Sequence, residues 1–295
     1  MEKIFFAISG NEQLAIPIAG KLNAEMGEIS IRQFPDGETY LRILSSVKDK
    51  EVYIVCALNT PNDKIMPLYF LAKTAKEQGA KQVHLIAPYL AYMRQDKSFH
   101  LGESITSQHF ASLMSSVVDS LITIDPHLHR RKSLSEIYTI PCTVLHADEL
   151  ISNWIKTNVI NPVLVGPDSE SEQWVAEVAK NANAPYIILQ KNRIGDKDVE
   201  VSVPNLEKYL THTPVLVDDI ISTAKTMIET VKHLTVLKMS PAVCIGVHAV
   251  FAGNAYEQLK EQGVYKITTC NTILHPSNGI DISDLIYLIT LSNCY

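Results

Sequence analysis

The residues best suited to chemistry lie in Pro214-Val-Leu-Val-Asp218-Asp219-Ile-Ile-Ser222-Thr223-Ala224-Lys225-Thr226. The apolar start predicts a buried strand. Two adjacent carboxylates stand at its carboxyl end, and a Ser/Thr-rich loop opens a helix. In open α/β sheets, ligands bind outside the carboxyl ends of the strands. Hydroxyls and backbone N–H groups at a helix N-terminus suit a phosphate. Neighbouring carboxylates suit the vicinal hydroxyls of a sugar, so the combination fits a pentose phosphate. The competing reading is a plain helix cap, with Ser or Thr capping and the acids favouring the dipole, worth about 0.5–2 kcal/mol with no ligand. Paired acids closing a buried strand are costly unless they are used, which favours the site.

Five further segments carry candidate groups. Phe34-Pro-Asp36-Gly37-Glu38 is a turn, in which Pro sets φ and Gly permits the reversal. On its own the segment reads as a plain surface turn with an aromatic before it. Arg94-Gln95-Asp96-Lys97 follows a predicted strand, and Arg grips phosphate oxygens bidentately. His127 and Asp168 each follow a predicted strand, one in each half of the chain. Taken alone, His127-Leu-His129 reads as a loop with two exposed imidazoles, and nothing in the spacing brings both to one point. Lys191 and Arg193 flank Asn192, and the Gly and mixed charge of Asn192–Val199 predict a mobile loop, which taken alone reads as a solvated charged one. Cations on such a lid would supply the charge stabilisation that phosphoryl transfer needs.

The elements that must position these groups are legible as alternation. Short Val/Ile/Leu-rich runs occur at Ile4–Ile8, Val52–Ala57, Val83–Ala87, Leu121–Ile124, Val163–Val165, Tyr186–Leu189, Val215–Val217, Val243–Val250 and Ile267–Thr269. Such runs read as strands of a parallel sheet covered on both faces. Amphipathic stretches lie between them: Asp63–Gln78, Ile105–Val117, Ser171–Asn181, Thr226–Leu237 and Asn254–Gln262. The βα alternation predicts an α/β fold with right-handed crossovers. The chain has 295 residues, and at about 100–200 residues per domain this suggests two domains. The series divides near the middle, into residues 1–146 and 147–295. The last stretch, Ile280–Tyr295, is expected to pack back on the first domain.

Composition narrows the function class. With 46% hydrophobic and 20% charged residues, the chain is an ordinary globular protein. Net charge is −6 with no basic block, which argues against a duplex nucleic-acid binder. No apolar run reaches the roughly 18–20 residues of a membrane span. The start is too quickly polar for a signal peptide. Five widely spaced cysteines, with no C-x-x-C, argue against a disulfide framework or structural zinc and for a reducing cytoplasm. There is no P-loop, G-x-G-x-x-G, H-E-x-x-H or G-x-S-x-G motif.

In their order and spacing, Arg32–Glu38, Pro88–Lys97, Asp125–His129, Val165–Asp168, Lys191–Arg193 and Asp218–Thr226 resemble the ribose-phosphate pyrophosphokinase family over essentially the whole chain. Asp218–Thr226 alone resembles the phosphoribosyl-binding loop of the phosphoribosyltransferase-like fold and would not separate transferases from synthetases. The resemblance implies two tandem phosphoribosyltransferase-like, Rossmann-like domains, each a mainly parallel sheet covered by helices. It implies transfer of the β,γ-diphosphoryl group of ATP to the 1-hydroxyl of ribose 5-phosphate, with Mg²⁺ as cofactor. Phe34, Asp36, Gly37, Glu38, Arg94, Gln95 and Asp96 would bind ATP, the turn serving a neighbouring subunit of a homo-oligomer. His127 and Asp168 would contact the metal, Lys191 would be the catalytic cation, and Arg193 would also hold ribose 5-phosphate. Asp218, Asp219 and Ser222–Thr226 would bind the sugar phosphate.

Two positions depart from the family's usual pattern. Lys225 stands where a small residue, commonly Gly, is usual, and would be costly if the loop needs φ > 0 there; alternatively its ammonium reaches the phosphate. Ser222 stands where many members carry Asp. Phe99–Ser104 resembles the archaeal-type branch more than members regulated by phosphate and ADP. Two other readings compete. A phosphoribosyltransferase would leave the first half without a task. A non-catalytic regulatory homologue would be expected to have lost Lys191, Arg193 or His127.

Overall fold

The computed structural model describes residues 2–128, 130–167, 171–194, 198–202 and 206–292. They form two compact units. One comprises Met1–Leu145 with Thr272–Leu274 and Ile282–Tyr295, the other His146–Asn271 with His275–Asp281.

In chain order the first unit contains β1 (Lys3–Ala7), α1 (Glu12–Lys21), β2 (Glu25–Met26), β3 (Ile29–Gln33), β4 (Thr39–Ile43), β5 (Glu51–Val55), α2 (Pro61–Glu77), β6 (Gln82–Ala87), α3 (Thr106–Ser115), β7 (Ser120–Ile124) and β8 (Cys142–Leu145). Strands β2-β1-β5-β6-β7-β8 make a parallel sheet, and β3 and β4 form a separate antiparallel hairpin. Every residue of β5 and β7 is buried, which is why their sequence shows apolar runs rather than alternation. On one face Ile4, Phe6, Val52, Ile54, Val83 and Leu85 pack with Leu68 and Leu71 of α2 and Phe110 and Met114 of α3. On the other, Phe5, Tyr53 and His84 stack in series, with ring centroids 4.8 Å and 4.6 Å apart. His84 Nδ1 meets Ser120 Oγ at 2.7 Å. Burial pushes the His84 imidazole down to about 4.

The second unit contains α4 (Asp148–Asn158), β9 (Pro162–Gly166), α5 (Glu172–Ala182), β10 (Tyr186–Ile188), β11 (Gln190–Ile194), β12 (Asp198–Ser202), β13 (Thr213–Ile221), α6 (Lys225–Val236), β14 (Val243–Ala249), α7 (Ala255–Glu261), β15 (Lys266–Cys270) and β16 (Asn278–Ile280). Its main sheet, β10-β9-β13-β14-β15-β16, is also parallel. Val163, Val165, Leu216 and Cys244 pack with Met227, Val231 and Leu234 of α6. The last helix, α8 (Ser283–Ser292), belongs to the first unit. There Lys3 Nζ donates to Thr290 O at 2.6 Å, and Lys21 pairs with Asp284.

Of the segment expected to be a loop, Asn192–Val199, residues 195–197 lie outside the described residues and the rest is strand. Gln190–Ile194 and Asp198–Ser202 pair antiparallel, from Gln190↔Ser202 to Ile194↔Asp198. Alternation of Val199 and Val201 with polar residues satisfies a two-stranded ribbon, and the ladder pairs backbone groups that a loop would leave to water.

Candidate active site

Strand order decides where the second unit binds. β10 lies on one side of β9 and β13 on the other, so the topological switch falls between β9 and β13. β9 leads into Pro167, and Asp168 lies outside the described residues. β13 runs on to Ile221, so Asp218 and Asp219 sit within its last turns of pleat rather than just beyond it. Both are half-buried, and Asp218 registers against Gly246 of β14. Asp218, Ser222, Thr223, Ala224, Lys225 and Thr226 contribute to the lining of an open pocket of about 410 Å³. The pocket therefore collects carboxylate, hydroxyl and ammonium groups at the start of a 12-residue helix, where the dipole favours an anion.

The positive φ in this loop falls on Ala224, at +55°, and not on Lys225. Lys225 begins α6 with its side chain exposed, so an L-residue is accommodated there. The loop is braced from behind. Phe251 N donates to Ile221 O at 2.8 Å, and Ala252 N donates to Ser222 O at 3.1 Å. Phe251 in turn stacks on His275 at 4.6 Å, whose imidazole burial pushes below its usual range. Close packing extends to Gly246, where an added Cβ would lie 2.6 Å from Ile221 Cγ1. Neither the brace nor this glycine has a local signature in the sequence, because strand pairing alone brings them to the loop.

Lys191 and Arg193 lie on β11, opposite Val201 and Val199 of β12. The ribbon follows β10 directly, so its chain enters from the carboxyl edge of the main sheet.

In the first unit, the 94–97 and 125–131 segments both leave the carboxyl edge, after β6 and β7. Arg94 is exposed, Gln95 half-buried and Asp96 buried. Asp125 is buried at φ +35°, and its N–H donates to Leu145 O at 3.0 Å. That unusual backbone carries the chain over the sheet edge and leaves His127 half-buried. Positive φ in a non-Gly residue is sparsely populated and concentrates at working sites. Among the described residues no three His, Cys, Asp or Glu side chains form a metal-holding group. His129 lies outside the described residues.

The Phe34–Glu38 turn closes the β3–β4 hairpin. Phe34 N donates to Glu38 O at 2.8 Å, Gly37 N to Phe34 O at 2.9 Å, and Glu38 N to Asp36 Oδ1 at 3.2 Å. Gly37 has φ +92°, which explains the glycine. The Arg32 guanidinium lies 4.8 Å from the Phe34 ring centre and 4.2 Å from that of Tyr40. The two rings themselves meet edge to face at 6.2 Å, and these contacts support the Phe34 ring while leaving it 40% exposed. Sequence alone placed the aromatic but not its support.

Two parallel six-stranded sheets with loops of this kind on their carboxyl edges define a duplicated phosphoribosyltransferase-type fold. Two family models cover most of the chain: the N-terminal domain of ribose phosphate pyrophosphokinase over residues 3–117, and the phosphoribosyl transferase domain over residues 133–285. The chain thus belongs to the ribose-phosphate pyrophosphokinase family. A ribose-phosphate pyrophosphokinase of Saccharolobus solfataricus is 31% identical over 276 residues, covering 92% of this chain and 93% of the relative. One from Methanobrevibacter smithii is 28% identical over 93% of this chain and 95% of its own. The phosphoribosylpyrophosphate synthetase of Mycobacterium smegmatis has the same fold, with a TM-score of 0.87, 22% identity and coverage of 99% and 100%.

Proposed function

We propose that the protein is a ribose-phosphate diphosphokinase, producing phosphoribosyl pyrophosphate and AMP from ATP and ribose 5-phosphate. The observation that carries this reading is the 218–226 pocket at the switch point of the second unit, in a chain whose first unit is also a full parallel α/β layer. A phosphoribosyltransferase needs only one such layer, and the family match extends over both.

In the reaction the sugar's 1-hydroxyl oxygen bonds to the β-phosphorus. The bond from that phosphorus to the α,β-bridging oxygen breaks, AMP leaves, and the hydroxyl proton passes to water. Asp218 and Asp219 accept from the ribose hydroxyls, while Ser222, Thr223, Thr226 and the α6 amide groups donate to the 5-phosphate. Lys225 adds a cation beside that phosphate. Phe34 stacks on the purine, Asp36 and Glu38 meet its amine, and Arg94 and Gln95 hold the phosphates. Serving a neighbouring subunit, the hairpin makes a homo-oligomer the working form. Lys191 places a cation where charge develops on the departing AMP, and Arg193 binds the sugar phosphate. His127 and Asp168 would hold Mg²⁺. A donor set of one imidazole and one carboxylate leaves the remaining positions to phosphate oxygens and water, as that ion prefers. The metal supplies charge neutralisation to the triphosphate. No helix among the described residues is long and apolar enough to cross a membrane, and we place the enzyme in the cytoplasm.

The test is to incubate the protein with Mg²⁺, ATP and ribose 5-phosphate and separate the nucleotides. AMP formation dependent on the sugar supports diphosphoryl transfer. ADP would identify an ordinary kinase, and no turnover would favour the regulatory homologue.

A further inference from the structure

We propose that Arg130 is a positioning residue for nucleotide binding, acting through the carboxylate of Asp96 to fix Arg94 and Gln95. This rests on the reading of the 94–97 loop as part of the ATP site. Asp96 has a side chain only 3% exposed, and Arg130 Nη1 lies 3.1 Å from its Oδ1 and 3.4 Å from its Oδ2. The neighbouring Arg131 reaches the same loop through its backbone: Nη2 donates to Asp96 O at 3.1 Å and to Ser107 Oγ at 3.4 Å. Ser107 N completes the set by donating to Gln95 O at 3.3 Å. Arg130 and Arg131 therefore hold Asp96 against the segment that carries His127, while Ser107 ties Gln95 to the start of α3.

The chemistry assigns Asp96 an indirect task. Its oxygens are turned inward to a guanidinium, whereas the exposed groups of the loop are Arg94 and Lys97. A buried carboxylate that loses its cation is strongly destabilised, so the loop backbone has one favourable place, set by Arg130. Arg130 lies three residues beyond His127, so the same pair couples the nucleotide loop to the candidate metal position. Its guanidinium is itself steadied over the Phe99 ring, 5.6 Å from the centroid, beside Lys97 at 4.9 Å. Nothing in the sequence pairs Asp96 with a residue 34 positions away; the juxtaposition of the β6 and β7 loops does.

The test is a double-mutant cycle on the full-length enzyme with Arg130→Gln, Asp96→Asn and the combination. It is read as KM for ATP, KM for ribose 5-phosphate, and calorimetric binding of a non-hydrolysable ATP analogue. Arg130→Gln is expected to raise the ATP KM about tenfold or more, the scale of a lost charge-assisted hydrogen bond, while the sugar KM stays within about twofold. The combined variant, which leaves a neutral amide pair, should be no more than about twofold worse than either single variant, because both remove one interaction. Should Arg130→Gln fail to fold, Arg130→Lys keeps the charge and loses the fork, and should raise the ATP KM by a smaller factor. Multiplying effects in the combined variant would show Asp96 contacting the nucleotide by itself and would overturn the proposal. Equal rises in both KM values would overturn it as well. Wild-type AMP formation is the separate control for the catalytic reading, and the analogue-binding cycle tests Arg130 whether or not that reading holds.

Discussion

Gly246→Ala should loosen the sugar-phosphate loop without touching a substrate. The added methyl carbon would lie 2.6 Å from Ile221 Cγ1 and 2.7 Å from its Cδ1, where ordinary contact begins near 3.4 Å. About 0.8 Å of displacement is therefore required, and there is little room for it. Ile221 is 1% exposed, and all of β14 is buried. Overpacking of this kind costs typically 1–3 kcal/mol, or roughly 2–10 °C in Tm for a chain unit of this size. Ile221 is the last residue of β13, and its carbonyl accepts from Phe251 N at 2.8 Å. Its shift is passed directly to Ser222 and the phosphate-binding backbone. Since a 1 Å misplacement can cost about 10² in rate, a shift of several tenths should raise the KM for ribose 5-phosphate about 3–30-fold. The ATP KM should remain within about twofold. Thermal unfolding and steady-state kinetics with each substrate varied check this. Ile221→Ala in the Gly246→Ala background removes the clashing atoms and should bring the sugar KM back toward wild type, although the truncation itself costs about 2–5 kcal/mol of stability. A Gly246→Ala enzyme with unchanged Tm and sugar KM would show that Ile221 does not transmit strain to the loop.

Further outcomes follow from the same physics. His84, held neutral by burial with a folded value of about 4, binds its proton in the unfolded chain first, so stability is full above about pH 6.5 and falls by about 1.4 kcal/mol per pH unit down to pH 4. Urea unfolding across that range should show a loss of about 3 kcal/mol from this group, absent in His84→Gln; parallel curves for the two proteins would count against it. Lys225→Gly should raise the ribose 5-phosphate KM several-fold with little change for ATP, and a KM that falls would mean that the side chain obstructs the pocket. Lys191→Ala should lower kcat by about 10²–10³, the usual cost of an oriented donor to transition-state charge, whereas Arg193→Ala should lose mainly sugar affinity; a normal kcat in Lys191→Ala removes it from the mechanism.

The sheet architecture was legible because fully buried parallel strands write themselves as apolar runs: Val52–Val55 and Leu121–Ile124 need no periodicity to be found. The phosphate loop was equally legible, since hydroxyls, acids and a helix start are local features. What escaped was either weakly apolar or non-local. β8, Cys142–Leu145, is half-buried throughout and carries no run. The β11–β12 ribbon reads as a loop in sequence because charge at Lys191 and Arg193 outweighs the alternation at Val199 and Val201. In α1, Pro17 interrupts the pattern, yet Leu14, Ala15, Ile18 and Ala19 are buried and hold the helix by packing. Tertiary pairings are invisible for the same reason in each case: Asp96 with Arg130, Arg32 with Tyr40, and Phe251 behind Ser222 are separated by turns whose geometry no local pattern encodes. Lys225 shows the converse, since its cost depended on a positive φ that the structure assigns to Ala224.

Phosphorus NMR of the complete reaction separates diphosphoryl transfer from the other possible outcomes. With Mg²⁺, ATP and ribose 5-phosphate, the account predicts AMP and a sugar-linked diphosphate appearing in equal amounts, with the two phosphorus signals of the transferred group coupled to each other and one coupled to the sugar C1 proton. ADP with a singly phosphorylated C1, or free diphosphate released to water, would contradict it.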